Sequence, residues 1–301
     1  AFTDGVTTWV NGPEGVLDRP NDVRFAWEKE SAASPPQPST TAASAPVAAP
    51  QVFTPEVKPM DSESGGPGGT VKRLMSEVES DWGQIWGWRP SKPTTVYLFT
   101  GGYHMAAGLP GITGQSVSAE QSKDLAASAV AVNGVDVQTG GWAIVVNIAG
   151  GMGTADWETL TKGTLARQYA YIMERDSAGT AGPTWYREGL VRLCSEAKVP
   201  VDAAIQKELA AMYDLNRKGT LPTLRRLHQD WAGFVSIASS YNDAANGMSL
   251  VALRTLSNRL GKANMLELLR RVGRGEDFDG VLKAMTGYTI EQLDADLKTK
   301  L

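Results

Sequence analysis

The stretch Leu165–Leu193, LARQYAYIMERDSAGTAGPTWYREGLVRL, decides how the rest of the chain is read. It spans the end of one expected helix, Thr154 to Arg175, and nearly all of a second, Thr184 to Ala197. Residues four apart project from one face of a helix, so Arg167 and Tyr171 share a face, with Gln168 beside them. The second helix opens with Trp185-Tyr-Arg-Glu188-Gly189, which sets a carboxylate in its first turn, where the helix dipole favours a negative charge.

Working outward, 301 residues with 42% hydrophobic and 21% charged content can bury a sizeable core in one large domain or two smaller ones. No run of about 18 apolar residues appears, so no transmembrane span is expected. A net charge of -4, with acids and bases interspersed, offers no basic face to neutralise phosphates, and nucleic acid is not an expected partner. The single cysteine, Cys194, excludes an intramolecular disulfide and a cysteine-based zinc cluster; its apolar neighbours Val191 and Leu193 predict a buried, inert thiol. There are only two histidines, His104 and His228. For each, a surface or hydrogen-bonding role is the simpler reading than metal ligation.

Composition divides the chain into three parts. Residues 1–30 contain two short strand candidates, Thr7–Val10 and Val23–Trp27, too few for a sheet of their own. Residues 31–69 hold eight of the 16 prolines, with Ala, Ser and Thr, and close on Gly65-Gly-Pro-Gly-Gly69; this reads as an extended linker, with Val52, Phe53 and Val57 as anchor points. Such tracts suit an extracytoplasmic protein. Residues 70–301 read as the folded domain. Thr70 is the expected N-cap of a helix in which Val71, Leu74, Met75, Val78, Trp82, Ile85 and Trp86 recur at helical spacing. Strands are expected at Thr94–Thr100, Leu125–Val132 and Trp142–Ile148, with a glycine-rich loop through His104 and Pro110 and turn residues at Asn133-Gly134 and Thr139-Gly-Gly141. Beyond Thr154 the pattern is helical, and the segment Trp231–Leu260 is expected to divide near Asn242 or Gly247. Strands first and helices afterwards, without βαβ alternation, predict an α+β fold: a small sheet plus helix, then a helical C-terminal half.

The order of these elements and the quoted motif resemble the gluzincin zinc metallopeptidases, in particular the peptidase MA-like domains, over about residues 70–301. In that family a helix carries His-Glu-x-x-His and a second begins Trp-x-x-Glu-Gly, whose Glu completes the zinc site. The segment Thr286-Gly-Tyr-Thr-Ile290 is similar to the family's entry to its last helix. Asn21-Asp-Val-Arg24-Phe-Ala-Trp27 resembles the end of the β domain that precedes such domains, making residues 1–30 a remnant of one. The motif's chemistry needs two imidazoles four residues apart to grip zinc and a Glu to take a proton from its bound water. Here those positions hold Arg167, Gln168 and Tyr171. A guanidinium cannot coordinate and an amide cannot act as the base, so of the site only Glu188 keeps its residue type.

The resemblance therefore implies a degenerate member that has lost zinc, has no metal ligand set and uses no cofactor. Two readings of Glu188 stand open: a buried ion pair with Arg167, with Tyr171 and Gln168 hydrogen-bonding around it, or an ordinary solvated acid at a helix start. Trp185 and Tyr241 are candidates for the walls of the old cleft, with core packing the plainer role for both. Carboxylate pairs (Glu174 with Glu188, Asp156 with Glu158) have nothing in the sequence to bring them together, the glycine runs lack a P-loop lysine, and Ser195 has no positioned histidine. The expected role is structural or protein- or peptide-binding, within an extracytoplasmic or surface assembly whose other subunits are partners. The rival is a hydrolase with a rearranged or metal-free site.

Overall fold

The computed structural model describes residues 6–8, 53–61, 65–115, 129–148, 155–179, 181–196 and 203–299. These residues divide into two compact units, Ala1–Ser76 with Arg89–Thr161, and Glu77–Trp88 with Lys162–Leu301. Among the described residues there are five strands, β1 (Val6–Thr8), β2 (Glu56–Pro59), β3 (Thr94–Phe99), β4 (Ala129–Val135) and β5 (Trp142–Asn147). Eleven helices accompany them: α1 (Gly65–Ile85), α2 (Gly102–Thr113), α3 (Trp157–Ala178), α4 (Thr184–Glu196), α5 (Ala203–Arg217), α6 (Leu224–Gln229), α7 (Trp231–Val235), α8 (Ser239–Leu260), α9 (Lys262–Gly273), α10 (Phe278–Thr286) and α11 (Ile290–Lys298). A small mixed sheet followed by a mostly helical region is an α+β fold.

The first unit is built on one sheet in the order β1-β4-β5-β3-β2. Strands β2, β3 and β5 run parallel, with Val57 opposite Val96 and Tyr97 opposite Val145, while β4 is antiparallel to β5. Strand β1 adds in parallel to Ala129–Ala131. Every residue of β3 and β5 is buried, as unbroken apolar runs in a sheet interior require. One face carries Tyr97, Phe99, Ala143 and Val145, which form a core with Val132 and with Met105, Leu109 and Ile112 of α2.

Several expectations change here. Helix α2 occupies the segment expected to be a glycine-rich loop, and His104 lies in its first turn. The composition misleads because Gly108 is a packing residue: a Cβ there would stand 2.8 Å from the Phe99 ring, so only glycine lets the helix lie on the strand. Pro110 sits close enough to the helix end that the lost backbone bond costs little structure. Asn133 and Gly134 are strand residues of β4, not a turn; the chain reverses at Asp136–Gly140. Two pieces of the 31–69 stretch are ordered elements. Val57 lies in β2, and α1 begins at Gly65 rather than after a Thr70 cap. Because β2 and β3 are parallel neighbours joined through α1, the unit contains a βαβ crossover that the expectation of no such alternation had excluded. The strand expected at Val23–Trp27, the segment 31–52 and residues 125–128 lie outside the described residues.

The second unit is helical, and its centre is the quoted stretch. In α3, Leu165, Ala166, Gln168, Tyr169, Ala170, Tyr171, Ile172 and Met173 are all buried, and in α4 every residue from Trp185 to Ser195 is. Helices buried on all sides show no apolar stripe and belong to the middle of a core. Trp82 and Trp88 both set ring edges against Tyr169, at 5.8 and 5.2 Å between centroids. Among the helices that follow, α6, α7, α10 and α11 carry side-chain N-caps from Thr223, Asp230, Asp277 and Thr289, and Thr289 and Gln292 form a reciprocal capping box at α11. The break in Trp231–Leu260 falls at Ser236–Ala238, so Asn242 and Gly247 lie inside α8. Among the described residues no helix is long and apolar enough to cross a membrane.

Candidate functional site

Because α3 and α4 are innermost, the polar residues of the quoted stretch have to be satisfied without water. Glu188 is fully buried. Its Oε2 accepts a hydrogen bond from the Tyr171 hydroxyl at 3.0 Å and one from Arg192 Nη1 at 2.5 Å. Arg192, one turn further along α4, also donates from Nε to both oxygens of Glu208 on α5, each at 2.9 Å, and from Nη1 to the Glu188 carbonyl at 3.3 Å. One guanidinium thus bridges two buried carboxylates on two helices, a task suited to the planar donor fork of arginine. Alongside, Arg187 of α4 donates to Glu174 of α3.

The electrostatics follow from that enclosure. Burial works to lower Arg192, but the charge of Glu208 and then that of Glu188 hold it above its ordinary value, so it stays a cation. Burial pushes the Glu208 carboxyl upward, against the charge and hydrogen bonds of Arg192 and the charge of Arg167. Arg167 therefore belongs to the electrostatic neighbourhood of Glu208. Burial also pushes the Cys194 thiol up, which keeps it in the unreactive protonated form.

Two glycines let the surrounding helices close on this cluster. A Cβ on Gly189, the residue after Glu188, would stand 2.5 Å from the Ser249 carbonyl of α8. A Cβ on Gly247 would stand 2.5 Å from the carbonyl of Glu208 itself. Gly247 is thus a contact point and not the helix break its sequence suggests, and the Gly of Trp-x-x-Glu-Gly serves backbone approach.

The other named residues are placed as follows. Gln168 is fully buried on α3, beside half-buried Arg167. Trp185 is fully buried among rings, with Tyr186 and Phe278 each 5.7 Å away edge-on. Half-buried Tyr241 packs its ring 5.1 Å from Phe234. Among the described residues, no group of three or more His, Cys, Asp or Glu side chains converges as a metal site. The donor set at the quoted motif does not fit zinc: its one carboxylate faces a guanidinium and a phenol, and the neighbouring positions carry a second guanidinium and an amide. Glu174 and Glu188 each take a different arginine, and Glu158 pairs with Arg73 at 2.6 Å, in line with setting both carboxylate pairs aside.

Sequence reasoning missed Arg192 and Glu208. Arg192 had a signal, since it stands four residues after Glu188 in the otherwise apolar run Leu190-Val-Arg-Leu-Cys194. Glu208 had none, because its relation to Arg192 is made through α8, on which both α4 and α5 pack. Comparison of the chain with family models, with curated proteins and with solved structures gives no match.

Proposed function

We propose that the chain is a gluzincin-like, peptidase MA-like domain that does not hydrolyse peptides, its former zinc positions having become a buried ion network. Its role is structural or protein- or peptide-binding, in an extracytoplasmic or surface assembly where other subunits are its partners. The observation that carries this reading is the contact between Tyr171 and Glu188. These residues lie on different helices, and they are the two positions where the resemblance puts the second imidazole and the carboxylate of a zinc site. Arg192 then supplies the positive charge that a metal would otherwise bring to Glu188. The linker composition supports the extracytoplasmic placement, and the absence of a general base at Gln168 supports a role without hydrolysis.

The test is elemental analysis after dialysis against zinc. The natural chain is expected to carry none. A variant with Arg167→His, Gln168→Glu, Tyr171→His and Arg192→Leu restores the ligand types and removes the competing cation, and is expected to retain about one zinc per chain. Stoichiometric zinc in the natural chain, or peptide cleavage that is lost in Glu188→Gln, would overturn the proposal.

A further inference from the structure

The second histidine lies apart from the charge network. His228 is in the last turn of α6, half-buried, with its ring 5.6 Å from that of Phe278, the first residue of α10. Phe278 also packs against Trp185 and Tyr186, so the imidazole closes one side of an aromatic cluster. Its Nδ1 is buried and has no hydrogen-bond partner, and the same is true of Asp279 Oδ1.

Helix α6 is also the post to which the last two helices are fastened. Arg225 donates to Asp279 of α10 at 2.6 Å and to Glu291 of α11 at 2.7 Å, and the Leu224 amide donates to Asp294 of α11 at 2.9 Å. The charged groups facing His228 are Arg225 on its own helix and Asp277 and Asp279 at the start of α10, with Glu291 beyond them on Arg225. Asp277 caps the Gly280 amide at 2.8 Å, and Asp279 gives Oδ2 to Arg225 while its Oδ1 stays buried without a hydrogen bond. A proton added to the half-buried ring would enter against Phe278, beside a guanidinium and at the positive end of α10, on a nitrogen that makes no hydrogen bond in the fold.

We propose that His228 is an acid-sensitive latch, whose neutral ring holds α10 and α11 against α6 and whose protonation loosens them. Burial lowers the ring's proton affinity, with Asp279 acting against it and Arg225 with it. The unfolded chain therefore binds the proton more readily than the folded one. Stability from the neutral latch is full above the ordinary histidine value of 6.5 and falls as pH drops below it.

With only two histidines, and the other, His104, 71% exposed at its side chain, the two ring resonances are readily separated by NMR. His228 is expected to titrate below 6.5. Hydrogen-exchange protection of α10 and α11 amides is expected to fall several-fold between about pH 7.5 and about pH 5.5 in the natural chain, across the histidine range, and to hold in His228→Gln. A His228 midpoint at or above 6.5 would overturn the proposal, as would the same acid loss of protection in His228→Gln.

Discussion

Each unit of the molecule buries a tyrosine hydroxyl against a carboxylate, and the two solve the remaining charge differently. In the sheet unit, Tyr97 donates to Asp136 Oδ2 at 2.6 Å, and Oδ1 accepts the backbone amides of Gln138 at 2.8 Å and Thr139 at 3.2 Å. No cation is involved in those bonds. In the helical unit, Tyr171 donates to Glu188, but the rest of the charge is met by Arg192, which also holds Glu208. The cause is the backbone. A turn after a strand leaves amides free to bind a carboxylate, whereas amides inside a helix are already bonded to carbonyls four residues back. A carboxylate buried among helices must import its donors, and arginine supplies several at once.

The largest effect is expected where the donor is a side chain that can be removed. Arg192→Met leaves Glu188 and Glu208 buried without their shared cation, and chemical denaturation should show a loss of about 3–5 kcal/mol. The sheet site should respond less to a comparable insult. Asp136→Asn keeps one oxygen for the tyrosine or the amides but not both, and should cost about 1–3 kcal/mol. It should also change the response to acid. Burial alone would raise Asp136, but the hydrogen bonds from Tyr97, Gln138 and Thr139 outweigh it and hold the carboxyl below its ordinary value of 3.8. Its contribution is therefore complete above that value and is lost as pH falls through the lower folded value. The variant should be less acid-sensitive than the natural chain in melts at low pH. The smallest effect is expected on the surface: removing Lys218, whose ammonium stands 2.6 Å from Asp214 in the open, should leave stability within measurement scatter at moderate salt.

The same contrast explains which parts of the molecule were legible in the sequence. The helices of the second unit announce themselves through spacing and terminators, as in the run from Phe278 that stops at Gly287. Strands β3 and β5 are visible as continuous apolar runs. What escaped was set by contact at a distance. Helix α2 looked like a loop because Gly108 answers to Phe99, and β2 was hidden in proline-rich sequence because its partner, β3, begins some thirty-five residues later. At the candidate site, Tyr171 and Glu188 were readable as a pair of positions, and they meet. What was not read is Arg192, one turn along the same helix as Glu188, which bridges it to Glu208. Its second partner, Glu208, depends on the packing of α4 and α5 on α8, which periodicity does not encode.

The most direct test of the account is a double-mutant cycle between Arg192→Met and Glu208→Gln, read by urea unfolding of the natural chain, both single variants and the double. If the buried network fastens α4 to α5, the singles are strongly non-additive, with a coupling of at least about 2 kcal/mol. Additivity to within about 0.5 kcal/mol would mean that α4 and α5 are held in place by their separate packing on α8, and that the ion network is a passenger in the core.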